Sequence, residues 1–499
     1  DANIATGNWS SPADDEKIFS SGEAYQAHQR GEYLDWADLL LGDGFTQNYS
    51  VSISGGTEKT KAYLSLNFTD EKGQYDGDQY KVYSTNIRID HQIKDWLNIG
   101  ANMQASYVHQ NKAYARLTNA LVSSPLGKAY NEDGSVNVTP LVSDESVINL
   151  LLNKDRSVYR NQNQNFKVYF NPYIEVKPLK GLSIISRIGA AISDSRNNYF
   201  QGMGSYQYYT MSGAGSVGTN SNVYAQVKET RHYNYKWENI VTYNFKLLDD
   251  HDFTATAVTT WSHGRKDVVT AKQDNITDNK YLWHNIGGSN SSSASEYSMT
   301  KGMGYIGRLS YSYKGRYLLS GSVRHDGDSR LSKDKRWSTF PAVSAGWRIS
   351  DEAFMQETSN WLDNLKLRVG YGVTGTANID PYSSSANLEQ GQYLLGGELQ
   401  NTYFFSKNYT NPNLTWEKSY NTNIGIDAAF LNNRIDVTAD YYFTKTKGVI
   451  WERSLPVVNG AYNATTYYVT NMNICETENR GFELAINTRN IDTKDFKWN

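Results

Sequence analysis

Apolar and polar residues alternate with a period of two over many segments of this chain. The clearest segment is 97–107, in which every odd position is apolar and the even positions carry Asn, Gln, Ser and Gly. Successive side chains of a β-strand point to opposite faces, so the pattern predicts strands with one apolar and one polar face. The same pattern recurs at 86–90, 365–372 and 423–430.

Two kinds of connection alternate between the predicted strands. Short connections such as 55–59, 177–181 and 314–315 join the two strands of a hairpin. In an antiparallel meander, alternate connections lie at the same end, so one end of the molecule has short turns and the other has long loops. This asymmetry predicts an all-β fold: a transmembrane antiparallel β-barrel of about 16 strands, with short periplasmic turns and long extracellular loops. The long connections are rich in Asn, Ser, Gly and Tyr and cover 110–162, 195–228, 265–302, 374–416 and 446–476.

Aromatic residues make up 13% of the chain, and many lie near the ends of predicted strands. An amphipathic ring is most stable at the boundary between lipid and water, so an outer-membrane barrel carries an aromatic girdle at each interface. A soluble β-sandwich has shorter strands, of about 5–6 residues. A propeller or solenoid needs a fixed sequence period, which we do not find. The strand-end residues are Tyr49, Tyr83, Tyr107, Tyr313, Tyr317 and Tyr371.

The composition excludes several other classes of protein. The 499 residues carry a net charge of −3, which provides no basic surface for nucleic acid. The mean hydropathy is −0.64, and no run approaches the about 18 apolar residues of a membrane-spanning helix. Disordered chains are poor in aromatic residues, whereas this chain has 38 Tyr. Cys475 is the only cysteine, so no internal disulfide can form.

A set of motifs along the chain resembles those of one known family. The most specific is 335–349, which reads Lys-Arg-Trp-Ser-Thr-Phe-Pro-Ala-Val-Ser-Ala-Gly-Trp-Arg-Ile. Together the motifs are similar to those of the SusC/RagA-like TonB-dependent outer-membrane transporters of the Bacteroidetes type, and the resemblance covers roughly residues 35–490. The other motifs lie at 35–36, 47–60, 316–327, 365–372, 414–418 and 479–484.

The resemblance implies a barrel of about 22 strands with a plug domain in its lumen. It implies that residues 1–46 are an extracellular loop segment of the early barrel. Residues 47–499 would then form the receptor barrel, incomplete and without the plug domain. The chain opens without a signal peptide and ends in what looks like the start of a strand. We therefore expect the natural protein to extend beyond both ends.

The same resemblance implies an active importer in the outer membrane of a Gram-negative bacterium. It implies a SusD-like surface lipoprotein as a lid on the long-loop side, and TonB with ExbB and ExbD on the short-turn side. The ligand would be an oligosaccharide or an oligopeptide, and outer-membrane lipid would surround a possible dimer of transporter–lid pairs. Two alternatives stay open: a passive outer-membrane pore, and a soluble secreted glycan-binding or glycan-cleaving β-protein.

Two sets of residues are candidates for function. If the apolar face meets lipid, the polar face lines the lumen, where it can hold the plug or line the path of the ligand. Exposed aromatic rings in the long loops can stack on sugars or bury peptide side chains. The candidates for the lumen-facing polar wall are Arg88, Asp90, Asn102, Gln104, Arg308, Arg324, Arg368, Asp427, Asp436 and Asp440. The candidate ligand or lid contacts in the loops are Tyr206, Tyr208, Tyr209, Trp283, Tyr297, Tyr403, Phe404 and Phe405.

No motif indicates catalysis. The sequence has no His-Glu-x-x-His, no Gly-x-Ser-x-Gly and no phosphate-binding loop. Asp326-Gly327-Asp328 vaguely resembles a calcium ligand set but is better interpreted as a solvated turn. We predict a protein that is not an enzyme and that holds no cofactor and no metal. Calcium bound by a lid lipoprotein would leave no trace in this sequence.

Overall fold

A single large sheet dominates the described part of the chain. The computed structural model describes residues 19, 21–114, 117–142, 147–210, 223–385, 388–405, 408–456, 458, 468–492, 494 and 496–498. Fifteen long antiparallel strands follow one another in chain order, and the two-residue strand β15 runs parallel to β18 at the edge. The strands of this sheet are β1 (Phe45–Gly56), β2 (Thr60–Lys72), β3 (Gln79–Lys94), β4 (Leu97–Asn111), β5 (Tyr159–Leu179), β6 (Leu182–Gln201), β7 (Tyr224–Leu247), β8 (His251–Asp274), β9 (Ser291–Tyr313), β10 (Tyr317–Asp328), β11 (Trp337–Arg348), β12 (Leu362–Thr376), β15 (Asn408–Tyr409), β16 (Glu417–Phe430), β17 (Ile435–Ser454) and β18 (Val469–Thr488).

The remaining elements are short. A separate hairpin pairs β13 (Leu388–Leu395) with β14 (Glu398–Phe405), and β19 (Ile491–Asp492) pairs with β20 (Lys497–Trp498). Among the described residues, no helix has the length and apolar character needed to cross a membrane. The helices are α1 (Gly22–Gln29), α2 (Trp36–Leu40), α3 (Leu117–Val122) and α4 (Tyr206–Thr210), with 3₁₀ turns at Leu150–Lys154, Asn279–Tyr281, Lys333–Lys335, Ile349–Asp351 and Ala353–Thr358.

The alternation of short and long connections is confirmed along most of the sheet. The exception is β11, where the preceding connection 329–336 is shorter than the following connection 349–361. The turn between β9 and β10 is only 314–316, and Lys314 and Gly315 have φ values of 51° and 66°. Two successive residues with positive φ match the twist of an antiparallel hairpin. The turn between β7 and β8 uses the same conformation at Leu248 and Asp249. The connection between β11 and β12 contains two 3₁₀ turns.

The strands are longer than the alternation predicts. β7 and β8 each have 24 residues, and their outer parts lie inside the predicted loops 195–228 and 265–302. Tyr297, predicted to lie in a loop, is therefore part of β9. The sequence obscured these ends because both faces are polar there, as in Ser-Asp-Ser-Arg-Asn-Asn at 193–198. Without an apolar face there is no alternation to detect.

Aromatic side chains line up across neighbouring strands at both ends of the apolar face. The row away from the short turns has ring centroids 6.2, 4.9 and 6.5 Å apart and consists of Tyr49, Phe68, Tyr83 and Tyr107. The row beside the short turns has centroids 6.1 and 6.5 Å apart and consists of Tyr313, Tyr317 and Trp347. Two such rows are the arrangement expected of interfacial girdles. Tyr371 instead lies within β12 opposite Val343, away from both rows.

Candidate functional site

The register of the strands places all ten candidate wall residues on one face of the sheet, which we call the polar face. Residues that lie directly opposite each other in neighbouring strands point to the same face. Arg88 lies opposite Asn102, and Arg368 lies opposite Gly425, which in turn faces Asp440. A shared face was predicted from the alternation alone. That this face lines a lumen, and that these residues hold a plug, stay predictions.

Three of the candidates meet in one ionic cluster. The Arg368 guanidinium donates to both carboxylate oxygens of Asp427, from Nε at 2.8 Å and from Nη2 at 2.9 Å. Its Nη2 also donates to Asp440 at 3.1 Å. Bidentate guanidinium–carboxylate pairs are the strongest and most directional of protein ion pairs. The cluster ties β12, β16 and β17 together on the polar face.

Gly425 makes this cluster possible. It lies between Arg368 and Asp440 in the register. A Cβ atom at this position would lie 2.3 Å from Asp440 Oδ1 and 2.7 Å from Arg368 Nη2. Any larger residue would therefore displace the ion pair, so the glycine is required by the close approach of the two charges.

The other wall candidates do not join this cluster. Arg88 Nε donates to Asp90 at 2.8 Å, and Arg308 Nε donates to Ser320 Oγ at 3.2 Å. Arg324 pairs with Asp326, a partly buried carboxylate that the sequence did not single out for this role. We call Arg324, Asp326, Arg368, Asp427 and Asp440 the paired wall. Asn102, Gln104 and Asp436 lie on the polar face outside it, and the buried Asn102 Oδ1 has no partner among the described residues.

A second part of the polar face has a different chemistry and lies toward the long connections. It is rich in amides and hydroxyls. Asn197 Nδ2 donates to Asn161 Oδ1 at 3.0 Å, and Ser193 Oγ donates to Asn165 Oδ1 at 3.3 Å. Sequence reasoning missed this surface, half of which lies in the predicted loops 110–162, 195–228 and 265–302 and half in predicted strands from which no candidate was chosen. We call it the amide wall: Asn161, Asn163, Asn165 and Lys167 of β5, Ser193, Ser195 and Asn197 of β6, Lys228, Thr230 and His232 of β7, and Lys266 and Thr270 of β8.

The long connections pack on one another beyond the amide wall. A buried cluster joins Trp36 and Leu40 of α2 to Ala120 of α3 and to Leu150 and Leu151. The indole Nε1 of Trp36 donates to the Ser124 carbonyl at 2.9 Å, and Lys154 Nζ donates to the Leu39 carbonyl at 2.9 Å. The segment before β1 therefore packs on the connection between β4 and β5. Its assignment as an extracellular loop stays a prediction.

Tyr206, the first loop candidate, packs against this cluster. Its hydroxyl accepts from Asn119 Nδ2 at 3.2 Å, and its ring lies 5.8 Å from that of Tyr114. Trp283, from the connection between β8 and β9, is buried against Phe200 and Ala225. Both rings therefore have packing roles that account for their positions. Contact of either residue with a ligand or lid is not tested by these positions.

The remaining loop candidates are scattered. Tyr208 and Tyr209 form an edge-to-face pair with centroids 5.0 Å apart, and burial raises the pKa of the Tyr209 hydroxyl. Tyr297 is exposed beneath the Arg265 guanidinium, which lies 5.0 Å from the ring centroid, on the face opposite the polar face. Three candidates belong to β14, and their side chains lie outside the described residues: Tyr403, Phe404 and Phe405. The structure does not gather the five candidates with described side chains into one site.

A carboxylate that sequence reasoning missed holds the short-turn end together. Glu352 accepts hydrogen bonds from Arg316 at 2.7 Å, from the Tyr317 hydroxyl at 2.5 Å and from the Trp347 indole at 2.9 Å. The hydrogen bond from Tyr317 is the main reason that the pKa of Glu352 lies below its usual value. The turn before β12 is thereby fastened to the aromatic row beside the short turns.

The described residues contain no group of three or more His, Cys, Asp or Glu side chains arranged to hold a metal ion. Asp326 and Asp328, the two carboxylates that resemble part of a calcium ligand set, each form an ion pair with an arginine. Asp326 pairs with Arg324, and Asp328 accepts a bidentate pair from Arg330 with contacts of 2.9 and 2.7 Å. Neither carboxylate therefore presents a free ligand set. The chemistry of the polar face is ion pairing and hydrogen bonding.

Comparison with known proteins identifies the class to which this architecture belongs. Residues 152–499 match the family described as TonB dependent receptor-like, beta-barrel. The chain belongs to this family, and the predicted family and antiparallel barrel fold are confirmed. Barrels of this family lie in the outer membrane, which argues against the soluble alternative. The family comprises transporters and receptors and not enzymes, as predicted.

Individual relatives agree with the family. TonB-dependent receptor P26 of Formosa agariphila is 30% identical over 469 residues, which cover 93% of this chain and 45% of the relative. TonB-dependent receptor SusC of Bacteroides thetaiotaomicron is 28% identical, over 96% of this chain and 49% of the relative. The chain thus spans about half the length of the curated relatives it matches. A solved structure of the RagAB peptide transporter superposes with a TM-score of 0.79 at 20% identity, over 94% of this chain and 51% of that one, and shows the shared fold.

Proposed function

We propose that this protein is an active importer in the outer membrane of a Gram-negative bacterium. It takes up oligosaccharides or oligopeptides and is energised by TonB. Membership in the TonB-dependent receptor barrel family is the observation that carries the proposal. The asymmetry of the two ends supports it, because import needs a ligand-facing end and an end that an energy-coupling protein can reach.

The proposed mechanism is gating without covalent chemistry. A ligand is captured at the long-connection end, and TonB pulls on a plug to open a path along the polar face. The paired wall supplies charges that can hold a plug while leaving the barrel intact. Loss of an ion pair on a wet surface costs little, so such contacts can break and reform with each transport cycle.

The proposed partners follow from the two ends. A SusD-like lipoprotein would sit as a lid on the packed connections around Trp36 and Tyr206. TonB, with ExbB and ExbD, would act from the short-turn side. RagAB, the structural relative, is described as a peptide transporter and SusC as a TonB-dependent receptor. A dimer of transporter–lid pairs is a further proposal that this chain alone does not carry.

The test is uptake by intact cells that make the native protein. Fluorescent oligosaccharides and oligopeptides of matched length are supplied to cells with and without TonB, and with the protein deleted. We expect accumulation of one ligand class that requires both the protein and TonB. Matched cells treated with an uncoupler of the proton gradient should lose the same uptake.

Uptake that needs the protein but persists without TonB or a proton gradient would contradict active import. That result would favour the passive pore. Uptake unaffected by deletion of the protein would contradict both the active importer and the passive pore.

A further inference from the structure

The amide wall carries positive charge that nothing on the polar face of its strands neutralises. Lys167 of β5, His232 of β7 and Lys266 of β8 lie in one register row, with Ser193 of β6 between the first two. Lys228 lies four residues nearer the long connections than His232 on the same face of β7, opposite Asn197. Lys228 and Lys266 are exposed. Among the described residues, none of the three lysines has a carboxylate within ion-pair distance.

The carboxylates on this face of β5–β8 form ion pairs with other basic residues. Glu238 pairs with Arg187 and with Lys236, both at 2.7 Å, and Asp274 pairs with Lys272 at 2.7 Å. Two more are paired near the short turns: Glu175 with Lys177 and Asp252 with Lys246. The nearest remaining carboxylate is Glu296 of β9, an exposed residue diagonal to Lys266. The three lysines are therefore a surplus of cations.

The surroundings of the lysines are neutral and rich in hydrogen-bonding groups. Asn163 lies opposite Asn197, and Asn165 lies opposite Ser195. One row below Lys167, Tyr169 presents a ring that is 46% exposed on the same face. Amides and hydroxyls suit the hydroxyl groups of a sugar, and an exposed ring suits the C–H face of a pyranose. The row from Lys167 to Lys266 spans three inter-strand spacings, about 14 Å, so its ends can reach anionic groups on different residues of one chain.

We propose that the amide wall binds an acidic oligosaccharide, one that carries carboxylate groups along its length. The lysines neutralise the carboxylates, the amides bind the hydroxyls, and Tyr169 stacks on a ring. This inference rests on the proposed function, because it takes the polar face as the wall of the import path. It deepens that function by naming the charge and class of the ligand.

The test measures binding to the native protein extracted in detergent, without TonB. The probes are a hexamer of galacturonate, a hexamer of glucose and hexaglutamate, each titrated calorimetrically at low and high salt. The variant carries Lys167→Gln, Lys228→Gln and Lys266→Gln together. A matched control removes three exposed lysines at the short-turn end: Lys59→Gln, Lys94→Gln and Lys180→Gln. Folding of each variant is checked by heat-modifiable migration on a gel.

We expect the native protein and the control to bind hexagalacturonate most tightly, and binding to weaken as salt screens the lysines. The triple variant should bind hexagalacturonate roughly tenfold more weakly, because it lacks three partly solvated ion pairs. The neutral hexamer should bind equally to all three proteins. A folded triple variant with unchanged affinity for hexagalacturonate would overturn the proposal.

Tighter binding of hexaglutamate than of hexagalacturonate would overturn the saccharide class and favour an acidic peptide. Lower thermal stability of the triple variant with unchanged probe binding would also overturn the proposal, since the lysines would then hold another segment of the protein. These outcomes are separate from the uptake test. A protein that binds hexagalacturonate through the lysines but shows no TonB-dependent uptake would refute import while leaving the site in place.

Discussion

The paired wall and the amide wall belong to the same face of the same sheet, yet they differ in whether their charged side chains form ion pairs. In the paired wall, Arg368 is shared between Asp427 and Asp440, so each charge has a partner. In the amide wall, Lys228 and Lys266 lie among amides and hydroxyls, and neither has a carboxylate partner among the described residues. The cluster around Arg368 lies toward the short turns, Arg324 and Asp326 lie near the far end of β10, and the amide wall lies toward the long connections. The comparison teaches that charge on a polar face has two uses: holding neighbouring strands together, or remaining available to a ligand.

The largest expected effect tests the premise that both walls face away from lipid. Val343 and Ser344 are neighbours in β11 on opposite faces, and Val343 lies four residues from Trp347 of the aromatic row beside the short turns. Val343→Arg should lower the free energy of unfolding by about 2–4 kcal/mol, the cost of arginine at the bilayer midplane. Ser344→Arg, the matched control, should cost much less because it adds a charge to the polar face. Urea unfolding in lipid vesicles measures both. Equal costs would remove the basis for comparing the two walls.

The next largest loss of stability is expected when the ion pairs of the paired wall are removed. Arg368→Met leaves Asp427 and Asp440 facing each other without a cation. The site is about one third exposed, so we expect a loss of roughly 1–2 kcal/mol, below the cost for a fully buried pair. The same urea titration measures the loss. Adding Asp427→Asn and Asp440→Asn should restore most of it, and a triple variant no more stable than Arg368→Met would show that charge is not the cause.

A smaller effect concerns the turn beside the paired wall. The pKa of Glu352 is lowered in the folded protein, chiefly by the Tyr317 hydroxyl. Its contribution to stability is therefore present above the unfolded pKa and is lost as pH falls through the folded value. Melting temperatures measured from about pH 6 to about pH 3 should fall more steeply for the native protein than for Glu352→Gln. Parallel curves would indicate that the carboxylate makes no net contribution.

The smallest effect is expected in the amide wall. Lys266 forms no ion pair in the part of the chain that the structure describes, so Lys266→Gln should change the free energy of unfolding by less than about 0.5 kcal/mol. A slight gain is expected, because one of three like charges is removed. The measurement is again urea unfolding, beside Arg368→Met. A loss as large as that of Arg368→Met would mean that the two walls do not differ in the way described.

Much of the fold was accessible from the sequence because the bilayer imposes a simple rule. A strand that meets lipid on one side must alternate, and segment 97–107 does so with apolar residues at every odd position. The prediction failed where that rule stops applying. Tyr297 was placed in a loop although it lies in β9, since the outer parts of the strands are polar on both faces. Half of the amide wall, including Lys228 and Lys266, lies in those same predicted loops and was missed for the same reason. The other half lies in predicted strands and was missed because the face of a side chain does not show which polar residues gather.

The candidate site was harder to predict from the sequence than the fold, because two side chains on the same face of a sheet need not contact each other. The alternation placed Arg368, Asp427 and Asp440 on one face, but the same reasoning grouped them with Asp436 and Gln104, which lie outside the cluster. Contact depends on register, and register depends on the turn lengths and hydrogen bonds of each ladder. The loop aromatics were chosen by residue type alone. Trp283 turned out to be buried against Phe200.

The sequence by itself determined that this is an all-β chain with one apolar and one polar face and with two unlike ends. These properties are local: each follows from side-chain alternation or from the length of a single connection. Only the tertiary structure decided which charges meet. Arg368 finds Asp427 and Asp440 across 59 and 72 residues of chain, over a glycine that leaves room for them. Lys167 and Lys266, 99 positions apart in the numbering, share a row because three intervening ladders align them. Ion pairing falls off over a few ångströms, so it is set by the packing of distant segments and not by the pattern within any one of them.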